Sequence, residues 1–327
     1  MGGSRELARI PKKRRRLTFM AKTAFFTHEA FLKHKMGDMN PESPARLEKI
    51  NELMFASGAD DYIEKHTAVR VSLSDMLSAH DPDYIQYLSR MSPQEGVTVI
   101  NEDTAMNPYT WEAAQFAAGA ACAAVDGVME GRFQRAFCAV RPPGHHAHRD
   151  HSGGFCFLNN IAIAALHALG VYHLKRVAVV DFDVHHGDGT SDILGGREDV
   201  LILDGFQNAL YPYAHLHHCP SNAIYSAFEE GTEGEALRKT MDEVWFPALM
   251  DYQPQLILVS AGFDAHREED QAQLLMIEKD YAFLGRRLVN VMESLPDCKG
   301  VVACLEGGYS MSSLSRSCVS FVRQLAS

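Results

Sequence analysis

Four segments constrain this chain more than any other feature: RVAVVDFDV (176–184), DVLILD (199–204), QLILVSAGFD (255–264) and GVVACLEGGY (300–309). Each is a short, nearly continuous run of Val, Ile and Leu that ends in acidic, histidine or glycine residues. Runs of this length and composition read as strands buried on both faces. KTAFFT (22–27) and AFCAV (136–140) read the same way. Between them lie helical stretches at 44–57, 110–130, 159–170, 234–250, 278–295 and 311–325. Strands alternating with helices predict an α/β domain with a central, mostly parallel sheet and helices on both faces. No repeat or low-complexity linker divides the sequence, so one domain is expected over 21–327. In such sheets ligands bind beyond the carboxyl ends of the strands, and that is where the unusual polar residues fall.

The 327 residues carry a formal charge of −11, unevenly placed. Residues 1–20 hold seven Lys/Arg against Glu6, a net +6, which leaves −17 for the rest. A body this acidic repels nucleic acid and favours basic substrates or partners. The run Lys12–Arg16 would serve nuclear entry or nucleic-acid contact, but short basic runs are weak signals. An unstructured arm or leader ahead of Met20 is the plainer expectation. No apolar run approaches the roughly 20 residues that span a bilayer, and no secretory-type apolar stretch follows the N-terminus. A cytoplasmic setting without membrane contact is expected. The seven cysteines are scattered, odd in number and never spaced CxxC, a pattern of free thiols rather than of a disulfide framework.

The strand ends carry the chemistry. In DFDVHHGDG (181–189) the residues Asp181, Asp183 and His185 fall at spacing two, so a strand running on through them would project all three to one face. Two carboxylates and an imidazole together are costly unless something positive is bound. AGFDAH (261–266) brings Asp264 to another strand end. Asp183, His185 and Asp264 make three N/O ligands, enough for a catalytic divalent ion with an open position. Zinc comes first, while iron(II), cobalt and manganese accept the same set. RPPGHH (141–146) adds adjacent imidazoles, His145 and His146, as bases for a metal-activated water. Asp181 and Asp188 are available to hydrogen-bond them. In LEGGY (305–309) two glycines precede Tyr309, whose hydroxyl could reach the developing oxyanion. His148, His151, His215, His217 and His218 crowd the same loops and read as solvated loop residues.

These motifs, with NPESPARL (40–47), AHDPDYI (79–85) and GFCFLNN (154–160), make the chain resemble the histone deacetylase family, its class II and bacterial members in particular, over about residues 22–325. The resemblance implies an arginase-like α/β fold and one zinc held by Asp183, His185 and Asp264. It implies tandem histidines paired as His145 with Asp181 and His146 with Asp188. His146 is then the general base, His145 an electrostatic partner, and Tyr309 the group that polarises the acyl carbonyl. It further implies Gly154, Phe155 and Tyr211 along the acyl-lysine tunnel, Asp103 as a rim carboxylate, and a potassium ion near Asp181, Asp183 and His185. The expected activity is hydrolysis of acetyl-lysine, in a protein or peptide, or of a small acylated amine.

Several positions depart from the family pattern. Asn40 replaces a His before Pro-Glu, and Asp204 stands where many members have a Ser near the potassium. EEDQAQL (268–274) replaces DDPLAxL, and AIYSAF (223–228) lacks Asn-x-Pro. Gln271 falls at the gate where acetylpolyamine-selective relatives carry a glutamate, which argues against a polyamine substrate. A ureohydrolase would share the fold but use two manganese ions. A silent acyl-lysine binding module would have lost the base, a ligand or the tyrosine, and none is missing. The sequence leaves oligomeric state open.

Overall fold

The computed structural model describes residues 23–213 and 218–327; the basic segment 1–20 and the loop histidines His215 and His217 lie outside the described residues. The strands in chain order are β1 (Thr23–Thr27), β2 (Ile63–Thr67), β3 (Thr98–Val99), β4 (Ala105–Met106), β5 (Arg135–Cys138), β6 (Val177–Asp181), β7 (Val200–Gln207), β8 (Ala223–Phe228), β9 (Leu256–Ala261) and β10 (Val301–Leu305). Eight of them form one sheet in the order β2-β1-β5-β10-β9-β6-β7-β8, and every pairing in it is parallel. β3 and β4 make a separate antiparallel pair. The domain is thus a mostly parallel sheet flanked by helices, as the apolar runs require.

The four central strands β5, β10, β9 and β6 are buried at every position. Helices cover both sides, because a parallel sheet is reconnected by crossovers that lay helices on its faces. Helices Ala45–Ala56, Glu278–Ser294 and Met311–Leu325 pack together in one layer; Leu73–Ala79, Thr110–Met129 and Asn160–Val171 pack in the other. In Thr110–Met129 the buried face is largely alanine, including Ala113, Ala117, Ala120, Ala121 and Ala124, so its neighbours approach closely. All four central strands point their carboxyl ends to one side. The loops that follow them therefore meet at one place.

The structure corrects one expectation. β6 does not run on through His185; it stops at Asp181. The reason is local side-chain competition for the backbone. Asp181 Oδ1 accepts from Asp183 N at 3.0 Å, and Asp183 Oδ1 accepts from His185 N at 2.9 Å. Two successive carboxylate turns thus replace the ladder. Asp181, Asp183 and His185 converge by turning, not by the pleat of a strand.

A buried ionic cluster ties the loops together behind the strand ends. Glu42, 1% exposed, accepts from Arg141 Nη2 at 2.8 Å and from Arg46 Nη1 at 3.1 Å. It also lies 3.2 Å from His34 Nε2. Arg46 donates from Nε to Gly308 O at 2.7 Å and from Nη2 to Glu306 O. Arg141 donates to the backbone carbonyls of Phe31 and His34. The Asn40 departure fits this corner, since its Oδ1 accepts from Glu42 N at 2.9 Å. Burial would raise the Glu42 carboxyl, but Arg141, His34 and Arg46 hold it well below the usual range. Removing one partner of a buried charge cluster costs about 3–5 kcal/mol. Glu42→Ala is expected to lower unfolding free energy in urea by that amount. Glu52→Ala, at an exposed pair with Lys49, should change it by less than about 1 kcal/mol. Equal small effects would contradict the role assigned to the cluster.

Candidate active site

β6 and the turn after it deliver Asp181, Asp183 and His185, and the end of β9 delivers Asp264. All three carboxylates are essentially unexposed. One ligand atom each from Asp183, His185 and Asp264 lies within 4.8 Å of the others. His185 Nδ1 is 3.0 Å from Asp183 Oδ1 and 3.3 Å from Asp264 Oδ2. The remaining oxygens are oriented by backbone: Asp183 Oδ2 accepts from Gly307 N at 2.8 Å and Asp264 Oδ1 from Val184 N at 2.9 Å. Among the described residues Asp264 Oδ2 is buried without a hydrogen bond, the His185 ring nitrogen at 3.3 Å being its nearest ionic partner. Two carboxylates and an imidazole gathered in this way are a donor set that could hold a divalent metal. Gly307 is required here for space, because a Cβ would stand 2.0 Å from Asp264 Oδ2.

β5 leads into the tandem histidines. His145 Nδ1 meets Asp181 Oδ2 at 3.0 Å and His146 Nδ1 meets Asp188 Oδ1 at 2.7 Å. These are the pairings the resemblance implies. The two rings then differ electrically. Burial opposes a charge on His145, but Asp183 and Asp181 raise it well above the ordinary imidazole value. Burial and the neighbouring His145 push His146 down to about 4 despite Asp188. The two shifts thus run in opposite directions, the carboxylates favouring a proton on His145 and burial beside His145 disfavouring one on His146.

β10 ends at Leu305 and hands over to Glu306 and Tyr309. Burial, reinforced by Asp264 and Asp183 and opposed by Arg46, raises the Tyr309 hydroxyl well above its ordinary value, so it remains a donor. The Arg46 guanidinium lies 5.0 Å from the Tyr309 ring centre, and the Phe155 ring meets Tyr309 edge-on at 5.8 Å. A cleft of about 200 Å³ is lined by Asp103, His146, Gly154, Phe155, His185, Tyr211, Gln271 and Tyr309. The structure thus brings every named wall and rim position to one opening. Asp103 is bound into it, its Oδ2 accepting from Gly154 N at 3.1 Å. Gly154 itself has φ +50, and a Cβ there would stand 2.2 Å from His146 Cδ2.

Three positioning groups escaped the sequence reading. Glu306 Oε2 accepts from Gly144 N at 2.6 Å and His145 N at 3.1 Å, fixing the tandem-histidine loop. Glu269 Oε2 accepts from Tyr309 N at 2.8 Å and Ser310 N at 3.1 Å. The atypical EEDQAQL segment therefore anchors the tyrosine. A carboxylate accepting from backbone next to a Gly-Gly turn was the only available signal. The third is His148, where the expectation of a solvated loop histidine is corrected. Its side chain is 19% exposed and bridges Asp188 Oδ2 at 3.1 Å and Asp192 Oδ2 at 3.5 Å. His151 fits that expectation, at 61% exposed. Asp204 Oδ2 accepts from His186 Nδ1 at 2.7 Å and Gly187 N at 3.1 Å. A potassium ion near Asp181 rests on the resemblance alone.

Comparison with known proteins gives this geometry its family. The Histone deacetylase domain model matches residues 40–325, and the chain belongs to the histone deacetylase family. It is 33% identical over 298 residues to a probable deacetylase of Archaeoglobus fulgidus, covering 88% of this chain and 82% of that one. It is 30% identical over 313 residues to a histone deacetylase-like amidohydrolase of Pseudomonas aeruginosa, covering 88% and 82%. The crystal structure of the HDA15 HD domain superposes with a TM-score of 0.87 at 26% identity, covering 94% of this chain and 90% of that one. The fold is accordingly the arginase-like one of that family, and the family supports a hydrolase that removes acyl groups.

His148 makes this loop pH-sensitive. Burial opposes its charge, but Asp188 and Asp192 raise it to about 9, above the unfolded value of about 6.5. A raised histidine contributes stability that is full below about pH 6.5 and lost as pH rises through about 9. The unfolding free energy of wild type minus that of His148→Ala should be about 1–2 kcal/mol larger at pH 6 than at pH 10, after allowance for partial exposure. A pH-independent difference in urea titrations would show that the bridge carries no charge.

Proposed function

We propose that this chain is a zinc-dependent deacylase that hydrolyses the amide of acetyl-lysine or of a related short acyl-amine. The observation that carries this reading is the buried donor cluster of Asp183, His185 and Asp264, which reaches through His185 a cleft also lined by His146 and Tyr309. Asp183, His185 and Asp264 would hold the ion. When bound, it supplies Lewis acidity toward the acyl oxygen and an attacking water.

The chain's own residues do the rest. His146, with Nδ1 tied to Asp188, presents Nε2 to take a proton from water as it attacks the acyl carbon. Tyr309 donates its hydroxyl hydrogen bond to the acyl oxygen as negative charge develops there. The charged His145 favours the same build-up of negative charge. A protonated histidine then returns a proton to the departing amine, which yields acetate and free lysine. Phe155 and Tyr211 line the acyl-lysine stem, and Asp103 stands at the rim as an acceptor for substrate backbone. Gln271 offers no charge to a second ammonium, which favours acyl-lysine over an acetylated polyamine.

Tyr309→Phe should lower turnover of an acetyl-lysine peptide by about 100- to 1000-fold while zinc content stays near wild type; unchanged turnover would remove Tyr309 from the mechanism. Asp183→Ala should lose both zinc and activity, and a full equivalent of retained zinc would overturn the ligand set. A panel of acetyl-lysine peptides, longer acyl-lysines and acetylpolyamines ranks the substrates. Full zinc loading with no turnover of any of them would favour a silent acyl-lysine binding module.

A further inference from the structure

A second donor cluster lies away from the strand ends, in the helical layer made by Leu73–Ala79, Thr110–Met129 and Asn160–Val171. Asp75, Cys122 and His167, one from each helix, place one ligand atom apiece within 4.8 Å of the others. His167 Nδ1 lies 2.9 Å from Asp75 Oδ1, and His167 Nε2 lies 2.8 Å from Asp126 Oδ1. Asp126 also accepts from the Tyr172 hydroxyl at 2.8 Å. Cys122 sits one helical turn before Asp126, so both face the same side of their helix.

The thiol is the informative group. Cys122 is 6% exposed and, among the described residues, makes no hydrogen bond, yet its sulfur lies within 4.8 Å of a carboxylate oxygen and an imidazole nitrogen. Burial first, and then Asp75 and Asp126, raise the thiol well above its ordinary value. Burial alone is ordinary for a cysteine; what singles out Cys122 is its place within 4.8 Å of a carboxylate oxygen and an imidazole nitrogen.

We propose that Asp75, Cys122 and His167 form a second site for a borderline-soft divalent cation of the zinc class. Sulfur, nitrogen and carboxylate oxygen together select such an ion over magnesium or calcium. Asp126 supplies the carboxylate that orients the histidine from its far nitrogen, as metal-binding histidines require, and Tyr172 orients Asp126 in turn. Ser72 Oγ does the same for Asp75, occupying Oδ2 at 2.5 Å and leaving Oδ1 turned to His167. Asp75 and Asp126 are 18% and 35% exposed at the side chain, so an ion and a completing water can reach the cluster from solvent.

Binding breaks the Cys122 S–H bond and the bond to the proton on the imidazole nitrogen that becomes the ligand; both protons pass to solvent as the sulfur and nitrogen bonds to the ion form. One dication replacing two protons leaves the charge of the cluster unchanged. The ion would pin three helices that are distant in sequence, acting on stability and not on the reaction, so this site is independent of the proposed deacylase activity.

The test uses the full chain, stripped with a chelator and titrated with Cd2+, which gives an ultraviolet charge-transfer band when bound by thiolate. Wild type should bind two equivalents and show the band. Asp183→Ala, with a ligand of the catalytic site removed, should keep the band. Cys122→Ala should lose it and bind one equivalent, with turnover of the zinc-loaded protein within about two-fold of wild type. Asp126→Asn should keep the band but weaken Cd2+ affinity at this site by about ten-fold or more. No band in wild type would overturn the proposal and leave His167 as a charged clamp between two carboxylates. A band that survives in Cys122→Ala belongs to another thiol and would overturn it equally. Should Cys122→Ala fail to fold, His167→Gln is read the same way, and unchanged Cd2+ affinity there overturns the proposal.

Discussion

Negative charge gathered in a dry place is the constraint on which the rest of this structure depends. Asp181, Asp183, Asp264 and Glu306 stand at or just beyond the carboxyl ends of three adjacent strands, none more than 1% exposed. Isolated buried carboxylates are strongly unfavourable, so the surrounding chain is organised to compensate them. Backbone N–H groups of Val184, Gly144, His145 and Gly307 point into the cluster. The imidazoles of His145 and His185 lie against it, and behind it Glu42, Arg46 and Arg141 lock the same loops. Among the described residues, Asp264 Oδ2 and Glu306 Oε1 have no hydrogen bond, and His185 Nδ1 stands 3.3 Å from the former. A divalent ion held by Asp183, His185 and Asp264 would complete that balance, and the proposed deacylase centre follows from it.

The same electrostatics shifts the tandem histidines in opposite directions. Their rings are neighbours, with centres 4.0 Å apart, yet one faces Asp181 and Asp183 while the other is backed by Asp188 alone. Like charges this close do not coexist readily in a buried site. Burial first, and then the His145 ring, therefore push His146 away from the charged form. His148 enters on the far oxygen of Asp188, so His146 heads a chain of contacts that runs through Asp188 and His148 to Asp192.

Much of this was legible in the sequence because the strand residues carry their burial in their composition. VAVV, LILV and VVACL read as central strands and occupy the centre of the sheet. Asp183, His185, Asp264, His145, His146 and Tyr309 stood out because polar side chains follow those runs directly. The short β2, with exposed positions in IEKHT, and the edge strand β8 carried no such signal. The end of β6 was misplaced because periodicity cannot register a carboxylate that captures the backbone two residues on. Glu42, Glu269 and Glu306 were hidden for a related reason. Their partners are arginines and backbone N–H groups distant in sequence, which only the folded chain brings together. Cys122 read only as one of seven scattered free thiols, and nothing local linked it to Asp75 and His167.

The central claim is that a metal held by Asp183, His185 and Asp264 drives acyl hydrolysis in the cleft above it. The most direct measurement is turnover of an acetyl-lysine peptide by Cys122→Ala protein, so that only this site is loaded, stripped with chelator and then titrated with zinc. The account predicts that chelation abolishes turnover and that one equivalent of zinc restores it. Turnover that persists in excess chelator, with metal analysis showing an empty protein, would contradict it.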